Sequence, residues 1–73
     1  MDIPEKLKFD YLLSLDKHLE TNGKKNKDIT LKKIFDITKK IADLGFVEKD
    51  IKSIVKDEGL YFRYEKWRKD NNL

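Results

Sequence analysis

Asp28-Ile29-Thr30-Leu31-Lys32-Lys33-Ile34-Phe35-Asp36-Ile37-Thr38-Lys39-Lys40-Ile41-Ala42-Asp43-Leu44-Gly45-Phe46 is the stretch that decides the fold. At 100° per residue, Leu31, Ile34, Phe35, Ile37, Ile41, Ala42 and Leu44 fill about half of the helical wheel. Lys32, Asp36, Lys39 and Asp43 follow one another down the other half at intervals of three or four residues. That period specifies an amphipathic helix with one packed and one solvated face. Asp28 or Thr30 offers a side-chain oxygen to cap it. Leu44-Gly45-Phe46 reads as a Schellman stop, with Gly45 left-handed and Phe46 folding back onto Ile41. The spacing predicts a helix over 30–44.

Working toward the N-terminus, Asp2 can cap a first helix near 3–21, with Pro4 in its first turn and Asn22-Gly23 as a left-handed stop. Leu7, Tyr11, Leu12, Leu15 and Leu19 form its apolar stripe. Phe9 and Leu13 widen that stripe beyond a single contact, so a further element or a partner must cover the excess. Toward the C-terminus, a third helix over 48–58 buries Val47, Ile51, Ile54 and Val55, and Glu48 and Asp50 suit its positive end. Residues 60–70 then form an aromatic extension. It reads as helix, interrupted or kinked at Gly59, or as a short strand, because Leu60, Phe62 and Tyr64 alternate with Tyr61, Arg63 and Glu65. Asn71-Asn72-Leu73 reads as disordered. The fold class is all-α: a single domain over 1–73, a small three-helix bundle with an aromatic C-terminal extension.

A chain of 73 residues buries only about 60–65% of the surface its unfolded form exposes, so its core is thin. Without cysteine it has neither disulfide nor thiolate chemistry, which favours a reducing compartment and a cytoplasmic location. No apolar run approaches the roughly 20 residues that cross a bilayer. The 17 basic and 14 acidic residues nearly cancel to +3 and alternate along the chain, which is a laced surface rather than a segregated cationic face. The run Lys24-Lys25-Asn26-Lys27 reads as a solvated connector.

Asp10, Ser14 and His18 are spaced four apart and supply acid, nucleophile and base. Side chains stacked along one helix edge nonetheless offer neither convergence nor an oxyanion hole. One histidine and scattered carboxylates give no metal-ligand spacing; Asp57-Glu58 comes nearest. The three glycines are isolated, so there is no phosphate loop. The expectation is a non-enzyme without metal or cofactor. Residues 37–56 resemble a helix-turn-helix DNA-binding unit in spacing. They depart from it at Ile41, where that motif has a small residue, and at Val47, where it has a polar cap. Lys49, Lys52 and Lys56 would contact phosphate there, among Glu48, Asp50 and Ser53, with no Arg, Asn or Gln for base edges.

The functional weight falls on residues 59–69. This stretch holds four of the eight aromatic residues and both arginines. Tyr, Trp and Arg dominate protein interfaces, so Tyr61, Arg63, Tyr64, Trp67 and Arg68 are the expected partner-binding residues. The same rings with Lys66 and Lys69 would suit single-stranded nucleic acid. The sequence thus points first to a protein-binding regulator or inhibitor of the kind carried by phages and mobile elements, and second to a nucleic-acid binder. The wide apolar arc of helix one leaves self-association open.

Overall fold

The computed structural model of the chain describes residues 2–20 and 27–73, and there all the regular secondary structure is α-helical. Helix α1 spans Glu5–Glu20, α2 Lys27–Asp43, α3 Glu48–Lys56 and α4 Glu58–Asp70. The expected Asn22-Gly23 stop and the Lys24-Lys25-Asn26 part of the connector lie outside the described residues; Lys27 already belongs to α2. Among the described residues there is no strand, which settles the extension as helix.

Each boundary follows from local chemistry. Pro4, not Asp2, holds the cap position of α1: its carbonyl accepts from the amides of Leu7 and Lys8, and it has no amide of its own to orphan. Asp28 and Thr30 lie inside α2 rather than capping it, and Asp28 serves the helix dipole from the first turn. Gly45 takes φ +99°, a conformation that spares glycine the Cβ clash, and its amide bonds Ala42 as α2 ends. At the start of α3 the Asp50 carboxylate accepts from the Val47 amide at 3.0 Å, which is half a capping box, since Val47 has no oxygen to return the bond.

The break between α3 and α4 falls at Asp57, not at Gly59. Asp57 takes an extended conformation (φ −88°, ψ 101°), and its Oδ1 accepts from the Leu60 amide at 3.1 Å, capping α4. Gly59 is an ordinary residue of the first turn of α4, not a hinge. A Cβ there would meet Asp57 Oδ1 at 3.5 Å and Arg63 at 3.7 Å, which is normal contact, whereas at Gly45 any side chain is strained by φ. Gly59→Ala should therefore raise stability by about 0.4–1 kcal/mol, and Gly45→Ala should lower it by more than that. Opposite shifts in urea midpoint check the pair; a loss at both positions would restore Gly59 as a hinge.

Asn71-Asn72-Leu73, expected to be disordered, form a hydrogen-bonded turn. Asn72 sits at φ 55°, the Leu73 amide bonds the Arg68 carbonyl at 3.0 Å and the Asn72 amide bonds that of Lys69 at 3.3 Å. This is a complete Schellman motif with asparagine in the left-handed place.

Helices α1 and α2 form the main pair and run in opposite directions: Thr30 lies against His18, and Thr38 and Ala42 share a groove with Tyr11. The molecule extends over 37 × 27 × 19 Å, so its thinnest dimension is about two helix diameters. One layer of side chains makes the core: Ile3, Phe9, Leu12, Ile41, Ile51, Ile54, Leu60 and Tyr64, with Leu7, Tyr11, Leu13, Ile37, Phe46 and Trp67 around it. The apolar half of α2 is only partly used. Ile34 and Ile41 are buried, but Phe35 and Ala42, at one edge of the apolar arc, are exposed in an open groove, and Leu44, beyond the end of α2, is exposed as well. Val47 and Val55, expected inside, are also exposed; α3 has nine residues and turns only Ile51 and Ile54 inward.

Candidate functional site

Helix α4 covers Phe9, one of the two residues that widen the apolar stripe of α1; the other, Leu13, lines a groove with Thr30 and Lys33 of α2. Leu60 and Tyr64, one turn apart, are completely buried. Trp67 stacks on Phe9 of α1 with centroids 5.2 Å apart and planes at 26°, and Tyr64 packs against both rings at 6.1–6.2 Å. Such geometries add about 0.5–1.5 kcal/mol to area burial.

Polar contacts fix the docking. The buried Tyr64 hydroxyl donates to Asp16 Oδ2 at 2.7 Å, and the same oxygen accepts from Arg68 Nη1 at 3.1 Å. Arg68 also reaches Glu20 at 4.0 Å, donates from Nε to the Leu73 carbonyl at 3.3 Å and lies over the Tyr64 ring. Arg63 donates to Glu5 at 2.7 Å in a half-exposed pair, which is worth at most about 1 kcal/mol. Burial first, and the Asp16 hydrogen bond second, push the Tyr64 phenol well above its ordinary value. Each arginine is thus held by carboxylates of α1.

The residues expected to bind a partner therefore separate by face. Tyr64 is inside the core, Trp67 half-buried against Phe9, and Arg63 and Arg68 are paired to α1. Tyr61 remains exposed, with the charge of Glu65 raising its phenol pKa. Beside it stands Phe62, 74% exposed and pointing away from the core. Phe62, Glu65, Lys66, Arg68, Lys69 and Leu73 line one open cleft on the outer side of α4. In the sequence Phe62 is one of four rings in residues 59–69. The usable signal was its offset of two from both Leu60 and Tyr64, which puts it opposite them on a helix.

The five lysines considered for nucleic acid fall in two clefts that share no lining residue. Lys49, Lys52 and Lys56 flank Glu48 and Ser53 on α3, where Lys52 pairs with Glu48 at 3.2 Å. Lys66 and Lys69 belong to the α4 cleft. A third surface, unforeseen in sequence, is an apolar groove where exposed Phe35 meets Tyr11, Ala42, Phe46 and Ile51. On α1, Ser14 is buried and donates to the Asp10 carbonyl at 2.9 Å, while His18 Nδ1 lies 2.9 Å from Thr30 Oγ1. These bonds direct the two side chains to different partners. Of the α1 arc considered for self-association, Phe9 and Leu12 are buried and Leu19 is 71% exposed. Among the described residues no group of three or more His, Cys, Asp or Glu could hold a metal ion, and no helix is long and apolar enough to cross a membrane.

Comparison with known protein families, with curated proteins and with solved structures gives no significant match.

Proposed function

We propose that the chain is a non-enzymatic protein-binding module, a small cytoplasmic regulator or inhibitor of a macromolecular partner, and that the outer face of α4 is its binding surface. In this reading α1–α3 are the bundle, and α4 is the recognition element packed onto it. One observation carries it: Phe62 is 74% exposed beside Tyr61, on a helix whose opposite face already completes the core. A ring this exposed adds little to the core, whereas aromatic and arginine side chains are enriched at protein interfaces, and Arg68 lines the same cleft as Phe62.

A nucleic-acid reading is supported by a separate observation, the presence of Lys66 and Lys69 in the cleft with Phe62. Salt discriminates between them. Co-purification from the native host, identification of the bound molecule and titration against the purified partner should give an affinity that falls only shallowly with salt, as one or two exposed ion pairs around apolar contacts allow. Phe62→Ala should weaken it by roughly 2 kcal/mol or more with an unchanged melting curve. A log–log salt slope near 0.7 per phosphate contacted, with oligonucleotide as the ligand, would replace this reading with the second.

A further inference from the structure

Every cation of α4 that faces α1 is neutralised: Arg63 by Glu5, Arg68 by Asp16 and Glu20. Lys66 and Lys69 are exposed, and neither joins an ion pair among the described residues. They lie one turn apart, about 5–6 Å between Cβ atoms, on the stripe Phe62, Lys66, Lys69, Leu73. The Schellman turn folds Leu73 back so that it lines the same cleft. The surface therefore reads aromatic, cation, cation, aliphatic.

From this pattern we propose that the face takes an acidic amphipathic segment of a partner protein, carrying two carboxylates about one helical turn apart with an apolar side chain on either side. The inference rests on the protein-binding reading and gives that partner its chemistry. Charge complementarity selects the acids: two unpaired ammonium groups beside apolar surface are best met by carboxylates, which steer the encounter and fix register. The aliphatic Leu73 selects a peptide, because bases stack on rings and gain little from an isobutyl group. Glu65 in the same cleft repels any anion, and that opposes a continuous array of charge, as on a phosphate backbone or an anionic lipid surface, more than two carboxylates matched to two lysines.

The test is a titration of the full chain, followed by backbone amide NMR, with four probes. They are a synthetic helical peptide bearing two glutamates one turn apart between two leucines, its glutamine twin, a poly-dT oligonucleotide, and vesicles of mixed phosphatidylcholine and phosphatidylserine. The glutamate peptide should shift amides of residues 61–73 saturably and bind about ten-fold or more tightly than the glutamine twin. Phe62→Ala should weaken that binding, and Lys66→Glu with Lys69→Glu should abolish it. Lys66→Gln with Lys69→Gln, which adds no repulsion within the helix, should remove the preference for glutamate. Equal binding of the two peptides, still dependent on Phe62, would overturn the acidic partner and leave the protein-binding reading standing. Tighter binding of oligonucleotide or vesicles at the same amides would overturn both, and no saturable shift in α4 would overturn the inference.

Discussion

Tyr64→Ala should cost about 3–5 kcal/mol, the largest effect of any single truncation in this chain. The ring is fully buried, touches Phe9 and Trp67, and its hydroxyl holds Asp16. A chain of this length commonly holds about 4–10 kcal/mol in all, so a urea melt should show most of the cooperative transition gone. Tyr64→Phe isolates the hydroxyl. It leaves Asp16 with one donor fewer and should cost about 1–2 kcal/mol near neutrality. The two variants also differ from the parent in alkali. Folding raises the phenol's pKa, so its contribution is fully present below the unfolded value near 10 and is lost as pH rises above it. Parent stability should therefore fall from about pH 10 upward, and Tyr64→Phe should fall less steeply. Equal slopes would mean that the hydroxyl is not held as described.

Ile41→Ala should cost about 2–4 kcal/mol, because the side chain is wholly enclosed at the centre of the cluster and its removal leaves a cavity in a one-layer core. A residue at the edge of the same apolar arc gives the contrast. Phe35→Ala deletes a larger side chain that is 62% exposed and should stay within about 0.5–1 kcal/mol of the parent. Denaturant midpoints of the two variants check this directly; comparable losses would mean that both flanks of α2 are packed.

The pairing of Ile41 with Phe35 also shows what was legible in the sequence. Periodicity identifies α2 and places Ile34 and Ile41 inside, because burial of an apolar stripe is a property of one helix. Which flank of a wide stripe is covered depends on how the neighbours pack: Tyr11 of α1 and Ile51 of α3 flank Phe35 across an open groove and leave it exposed. The left-handed Gly45 was readable for the same local reason. Asp57 was readable in principle, since aspartate three residues before an amide to be capped is a strong start signal; Gly59 drew the boundary away from it. Asn72 is the milder case, an asparagine taking the left-handed place that glycine more often fills.

The site was half legible. The density of rings and arginines at 59–69 marked the helix, but the pairs that sort its faces, Arg63 with Glu5 and Tyr64 with Asp16, span 58 and 48 residues. No local pattern encodes a contact at that separation. It fixes which rings fold the protein and which remain for a partner.

Helix α4 has one face for the fold and one beyond it, and on the melting temperature of Phe62→Ala that division stands or falls. A side chain that no other part of the chain needs should leave stability within about 0.5 kcal/mol, a change of no more than about 4 °C in a domain of this size. A fall of about 10 °C or more would contradict the claim, because Phe62 would then belong to the core.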